Sequence, residues 1–279
     1  MPREKREDKI IMSMIQKGYF NSDRYDTPEK EKLTFSDRLW RNSRLYFTLK
    51  YASIVLKTRK QAKSGIYDTR AWEDSSYYIL KLIEKTGGIF HISGMDNIAR
   101  EDAPVLFIGN HMSTLETMIL PSIISPLRQV TFVVKDSLVN HPLFGDVMRS
   151  RNPIIVGRTD PRKDFEAVMN GGMDLLSNGI SIVIFPQSTR NLVFRPEDFN
   201  SLGVKLARKA GVKVVPVALK TDYWANGKII KELGPIDISK QIYFKFGEPF
   251  AVTGTGKDDN QRIIEFIQSS LAEWKKSSL

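Results

Sequence analysis

Three histidines, no cysteine and an excess of arginine and lysine bound the chemistry open to this 279-residue chain. His111 lies in GNHMSTLETMILP (Gly109–Pro121), directly after an apolar run, and Glu116 follows it by five residues. A histidine titrates close to neutrality and can take a proton from a hydroxyl as a general base. It then needs a carboxylate to fix its tautomer and stabilise the imidazolium, and Glu116 is the nearest one. On one continuous helix, five residues rotate a side chain by about 140°, so the pair meets only if His111 precedes the helix. Ser113 supplies that break. As N-cap it starts a helix at Thr114 and puts Glu116 at the third helical position, where a capping box also wants an acid. Glu116 is therefore both a candidate catalytic partner and a candidate cap, and the residues alone leave both open.

A second chemistry is anion binding. FPQSTRN (Phe185–Asn191) follows another apolar run; Ser188 and Thr189 can bond locally, and Arg190 carries a guanidinium suited to bidentate phosphate contacts. RSRNPIIVGR (Arg149–Arg158) sets three more arginines around a short apolar strand, and Lys135 follows TFVV. Each cation has an ordinary reading as half of a surface ion pair. Several of them converging on loops at one sheet edge would instead form an anion site.

These loops need elements to hold them. From residue 89 onward, short β-branched runs alternate with helical stretches. Strands are expected at Ile89–Ser93, Val105–Gly109, Val130–Val134, Ile154–Val156, Ile180–Ile184, Val212–Leu219 and Ile242–Phe246. Helices are expected at Leu115–Ile124, Arg162–Ser177, Phe199–Lys209 and Asp259–Lys275. Nearly all-apolar strands alternating with helices predict an α/β fold, a mostly parallel central sheet flanked by helices, with active loops where strands end.

Before residue 89 the pattern is helical, basic and aromatic. Residues 1–34 are polar, with the charged run EKEKL (Glu29–Leu33) behind a Thr27-Pro28 turn. Phe35–Lys60, with Ser36 as N-cap, predicts a long amphipathic helix, and Arg70–Lys85 a second that ends at Gly87-Gly88. Such a helix either packs on the domain or lies in a membrane interface, rings in the acyl boundary and cations at anionic headgroups. The chain thus divides into an N-terminal helical segment, residues 1–88, and an α/β domain, residues 89–279.

The absence of cysteine excludes disulfides, thiolate metal sites and a cysteine nucleophile. The net charge of +10 points to anionic partners: nucleic acid, a membrane surface or phosphate-bearing substrates. The first residues have no signal-peptide pattern, and LYFTLKYASIVL (Leu45–Leu56) is far short of the roughly 20 apolar residues that span a bilayer. No transmembrane helix is expected, which leaves surface attachment.

NHMSTLE, then VTFVVKDSLVNHPLFGDVMRSRNPIIVGR, then SIVIFPQSTRN, then VKVVPVAL form an ordered set over roughly residues 94–220. In this the chain resembles the glycerolipid acyltransferases of the 1-acylglycerol-3-phosphate (lysophosphatidate) acyltransferase type. Their blocks run Asn-His-x4-Asp, Gly-x-Ile-Phe-x-Asp-Arg-like, Phe-Pro-Glu-Gly-Thr-Arg-Ser and Val-x-Pro-Val. Here Glu116 replaces the first-block Asp, Gly157 the acid before Arg158, and Gln187-Ser188 the third-block Glu-Gly.

The resemblance implies transfer of a fatty acyl group from acyl-CoA or acyl carrier protein to a glycerolipid hydroxyl. His111 would act as base with Glu116 as its partner. Arg158 and Arg190, with Lys135, would hold the acceptor phosphate, and the Gln187–Ser188–Thr189 loop would hold substrate and oxyanion. It implies no metal and no cofactor beyond the thioester co-substrate. The implied partners are a membrane surface, with the two-helix segment of residues 1–88 as the membrane dock and Phe35–Lys60 its candidate docking helix, and a lysophospholipid-type acceptor, not nucleic acid, with a peripheral or monotopic place on the cytoplasmic face of a membrane. Two other classes stay open: a non-catalytic lipid-binding relative, which the Glu116 and Gln187 changes permit, and an ester or thioester hydrolase using Ser188 or Ser113 with His111. The hydrolase lacks a Gly-x-Ser-x-Gly elbow.

Overall fold

Strands with no polar face must be covered on both sides, and the architecture follows from that requirement. The computed structural model describes residues 19–28, 44–187, 189–227 and 234–277. Its strands are β1 (Arg24–Asp26), β2 (Phe90–Ser93), β3 (Leu106–Gly109), β4 (Val130–Lys135), β5 (Ile154–Val156), β6 (Ser181–Ile184), β7 (Lys213–Lys220), β8 (Ile242–Phe246) and β9 (Phe250–Ala251). Its helices are α1 (Arg44–Lys63), α2 (Thr69–Lys85), α3 (Asp96–Ala99), α4 (Leu115–Ile124), α5 (Asp136–Val139), α6 (Gly145–Arg149), α7 (Pro161–Ser177), α8 (Leu202–Ala210) and α9 (Lys257–Ser277).

The strands form one sheet in the order β1-β2-β8-β7-β3-β6-β4-β5, with β9 also on β7. The five strands β7, β3, β6, β4 and β5 are mutually parallel. On the other flank β8 runs antiparallel to β7, β2 runs parallel to β8, and β1 runs antiparallel to β2. The expected mostly parallel sheet is thus present, with a reversed flank. Because the five parallel strands share a direction, their C-terminal ends lie at one edge and open into loops there.

Side chains alternate between the two faces, as the period of a strand requires. Phe107, Val183, Val215 and Val217 point into a core shared with α1, α2 and α4. Leu106, Ile108, Ile182 and Ile184 point into the other, shared with α7, α8 and α9. Gly109 ends β3 where a Cβ would come within 2.8 Å of the Val217 carbonyl oxygen, so only glycine lets β3 approach β7 this closely. Pro216 stands in β7, a central strand, yet leaves no ladder bond unmade. β8 stops at the pair Phe246–Val217 and β9 begins at Phe250–Val214, so the missing N–H falls in the gap between them.

The helical texture before residue 89 does not mark a separate core. Phe47, Tyr51 and Val55 of α1 are buried in the same cluster as α2 and the sheet, and Phe47 and Tyr51 meet Trp224 edge-on, each at 5.0 Å. Two of the rings expected on this helix, Phe47 and Tyr51, therefore face the core. They fill space against Trp224, while the aliphatic Leu45, Leu49 and Leu56 are exposed. Residues 29–43, including EKEKL and the start of the expected Phe35–Lys60 helix with Ser36 as its cap, lie outside the described residues, as do residues 1–18. Among the described residues no helix is long and apolar enough to cross a membrane.

Two helix starts are informative. The helix expected from Phe199 begins at Leu202, because Asn200 Oδ1 accepts from Leu202 N at 2.9 Å while its amide donates to the Pro186 carbonyl. The helix Leu115–Ile124 has its expected bounds, but its N-cap position is Thr114 and not Ser113, as the next section describes.

Candidate active site

The loop after β3 is short and held at several points. Asn110 extends the β3–β7 ladder with its side chain: Nδ2 donates to Leu219 O at 2.8 Å, and Oδ1 accepts from Leu219 N at 2.9 Å. His111 comes next, nearly buried, with its ring stacked on Phe185 at 4.4 Å and 6°. Its backbone N donates to Gln187 Oε1 at 2.7 Å, and its carbonyl accepts from Asn191 N at 2.9 Å. The loops after β3 and β6 are thereby clamped together around one imidazole.

Glu116 sits in the first turn of α4 with no solvent exposure. Its Oε1 accepts from His111 Nδ1 at 2.9 Å, Met112 N at 2.6 Å and Ser113 N at 2.9 Å. Its Oε2 accepts from Thr221 Oγ1 at 2.5 Å and lies 3.0 Å from Ser113 Oγ. Ser113 Oγ in turn accepts from Leu115 N at 3.1 Å. Thr114, already helical in backbone, is the N-cap residue without a capping side chain, and Ser113 caps from one position earlier. Cap and partner are therefore one arrangement. The Glu116–Ser113 N contact is half of a capping box, and the same oxygen receives the histidine.

Burial pushes the Glu116 carboxyl up. The hydrogen bond and charge of His111, then Thr221 and the Ser113 amide, pull it down and prevail, so it is held below its ordinary value. An anion at Oε1 makes Nδ1 the protonated nitrogen of neutral His111. The lone pair is then on Nε2, which has no hydrogen-bond partner among the described residues. The arrangement has the parts a general base needs: a fixed ring, a fixed tautomer and a carboxylate that stabilises the charged form.

Beside it stand two guanidinium groups. Arg190 Nη1 donates to Thr114 Oγ1 at 2.8 Å and reaches Asn226 Oδ1 at 3.3 Å. Arg158 follows β5 with a left-handed backbone, φ 59°, uncommon for a residue with a side chain. Asp164 of α7 holds that turn, accepting from Gly157 N and Arg158 N at 2.8 Å each. A carboxylate thus stands beside Arg158 although Gly157 replaces the acid next to it in sequence. Burial first, and the Arg190 cation second, push the Arg158 guanidinium below its ordinary value, with Asp164 opposing. Two cations close enough to disturb one another thus stand at one strand-end edge.

The remaining site expectations divide. Gln187 is buried and grips His111 as described. Thr189 is exposed, and Ser188 lies outside the described residues. Lys135 ends β4 beside Val156, on the same edge, and is exposed. Ser113, the alternative nucleophile, is fully buried and bonded to Leu115 and Glu116 rather than to His111. Sequence reasoning missed Thr221, Asn110 and Asp164. A polar residue just past a β7-type strand was the available signal for Thr221, and only strand order says which loop it meets.

Residues 89–220 match the family model described as Acyltransferase. A 1-acyl-sn-glycerol-3-phosphate acyltransferase of Pseudomonas aeruginosa is 29% identical over 187 residues, 66% of this chain and 69% of that protein. A chloroplastic 1-acyl-sn-glycerol-3-phosphate acyltransferase of Arabidopsis thaliana is 30% identical over 140 residues, 50% of this chain but only 37% of the plant protein. The crystal structure of the 1-acyl-sn-glycerophosphate acyltransferase of Thermotoga maritima shares the fold, with a TM-score of 0.56 at 21% identity, covering 86% of this chain and 96% of that one. The part of the chain that carries the site is thus similar in sequence to acyltransferases, and both sequence relatives carry the name 1-acyl-sn-glycerol-3-phosphate acyltransferase.

Proposed function

We propose that this chain transfers a fatty acyl group from a thioester, acyl-CoA or acyl carrier protein, to the free hydroxyl of a lysoglycerophospholipid-type acceptor such as 1-acylglycerol-3-phosphate. The observation that carries the mechanism is the 2.9 Å contact between His111 Nδ1 and a fully buried Glu116. His111 Nε2 takes the hydroxyl proton as the oxygen attacks the thioester carbon. The tetrahedral intermediate collapses, the C–S bond breaks, and the departing thiolate receives that proton from the imidazolium. No covalent enzyme intermediate and no metal or redox cofactor enters the scheme.

Arg158 and Arg190 hold the acceptor phosphate, with Lys135 contributing longer-range attraction. Backbone N–H groups of the Gln187–Ser188–Thr189 loop face the oxyanion, a contribution typically of about 2.7–4 kcal/mol per donor. The acceptor lives in a bilayer, so the enzyme works on the cytoplasmic face of a membrane as a peripheral or monotopic protein. What supports this is α1, whose Leu45, Leu49 and Leu56 face outward near Lys57 and Lys60.

The test is acyl transfer by the purified protein from labelled acyl-CoA and from labelled acyl carrier protein, across lyso-acceptors with and without phosphate. His111→Ala is expected to abolish transfer, and Arg158→Ala or Arg190→Ala to raise KM only for phosphate-bearing acceptors. Equal rates for the wild type and His111→Ala on every acceptor overturn the reading.

A further inference from the structure

Immediately after Arg190 the chain makes a tight outward turn that the chemistry above does not use. Asn191 N donates to the carbonyl of His111, and Asn191 Oδ1 accepts from Val193 N at 3.1 Å, closing an Asx-type turn. On its far side Phe194 turns inward against Phe199, ring centroids 5.6 Å apart. Between these anchors Leu192 and Val193 stand 43% and 65% exposed. Scattered exposed hydrophobic residues need no explanation, but this pair is adjacent, held out by a turn fixed at both ends, and tied to the backbone of the proposed base. Exposed Arg195 follows Phe194.

From this geometry we infer that the Leu192–Val193 tip inserts into the acyl layer of a lipid bilayer and seats the mouth of the active site on the membrane. The inference rests on the acyl-transfer reading for its partner, since an acceptor with one end in a bilayer must pass from the acyl layer to His111. Arg190 and Arg195 bracket the apolar pair with positive charge, complementary to anionic headgroups above an apolar interior. Glu197 and Asp198, exposed on the following turn, limit the insertion to the tip itself. The tip also lies on the side of the molecule to which α1 packs: Arg190 reaches Asn226, just past Trp224, against which Phe47 and Tyr51 of α1 rest.

A chain without cysteine makes the test clean. Val193→Cys in the full chain is labelled with an environment-sensitive fluorophore and mixed with phosphatidylcholine–phosphatidylglycerol vesicles. Ser177→Cys, exposed at the C-terminal end of α7 just before β6 and so at the opposite sheet edge, is the control. The expected result is a blue shift at position 193, quenched by spin-labelled lipid, with no change at 177. A Leu192→Ser/Val193→Ser variant should partition onto vesicles about tenfold more weakly. It should lose turnover of vesicle-borne acceptor in proportion and keep its rate on a monomeric short-chain acceptor. A label that stays water-exposed while the protein sediments with vesicles overturns the inference. So does a shift that spin-labelled lipid fails to quench, or a protein that does not bind vesicles at all. The fluorescence needs no turnover, so it answers even if the acyl-transfer reading fails.

Discussion

At Glu116 one buried carboxylate gathers the imidazole, two amides and two hydroxyls. Glu116→Gln keeps the volume and removes the charge that fixes the His111 tautomer, so kcat should fall on the order of 10²–10⁴-fold with little change in acceptor KM. The same substitution carries a pH signature. Glu116 titrates below its ordinary value in the folded chain. Its stabilisation is therefore fully present above the ordinary carboxylate pKa of about 4.3 and is lost as pH falls through the depressed folded value. Wild-type stability should drop more steeply than that of Glu116→Gln between about pH 5 and pH 3. Glu73, held above its ordinary value by burial, slopes the other way but is present in both proteins and cancels in the difference. Parallel curves would show that Glu116 carries no charge in the fold. Thr221→Val, close to isosteric, leaves Oε2 without its shortest donor. It should cost about 1–3 kcal/mol in urea unfolding and lower kcat without touching KM. An unchanged midpoint would mean the hydroxyl contributes nothing.

Elements were legible where one physical signal dominated. Ile154–Val156 and Ile242–Phe246 are bounded as their apolar runs predict, and Leu115–Ile124 as its long apolar stretch does. β1 was not legible, because Arg24–Asp26 has no apolar period and is a strand only through its pairing with β2. The His111–Glu116 pair was readable from local spacing. Thr221, more than a hundred residues away, reaches it because β3 and β7 pair side by side, which no local pattern reports. α4 shows the same limit. Pro121 removes a helical N–H from its interior, and Ser76 of α2 bridges the weakened turn, accepting from Ser122 N at 3.0 Å and donating to Met118 O at 2.6 Å. Ser76→Ala should therefore destabilise the protein by about 1–3 kcal/mol, with Tm falling about 2–4 °C for each. Loosening of α4 should also show as faster amide exchange around Met118. An unaltered melting curve would mean that the helix satisfies these groups itself.

Orientation belongs to the molecule as a whole. The five parallel strands deliver His111, Arg158, the FPQSTRN loop and Thr221 to one edge, so whatever lies against that edge meets the chemistry. At about 100° per residue, Leu45, Leu49 and Leu56 of α1 fall within about 40° of arc, while Phe47, Tyr51 and Val55 occupy the opposite side and enter the core. On the proposed membrane reading the outer stripe, with Lys57 and Lys60 close by, is the face that meets lipid and headgroups. Replacing Leu45, Leu49 and Leu56 together by Gln removes that stripe without opening the core, so the unfolding free energy should move by less than about 0.5 kcal/mol per site. Sedimentation with anionic vesicles should weaken by roughly one to two orders of magnitude. The residual binding should rest on charge and on the Leu192–Val193 tip alone, and raising the salt until the screening length drops to about 3 Å should weaken it further. The wild type, held also by apolar burial, should stay bound at that salt. If the triple variant binds as well as the wild type in both conditions, α1 faces water and the approach to the membrane must be made by another part of the surface.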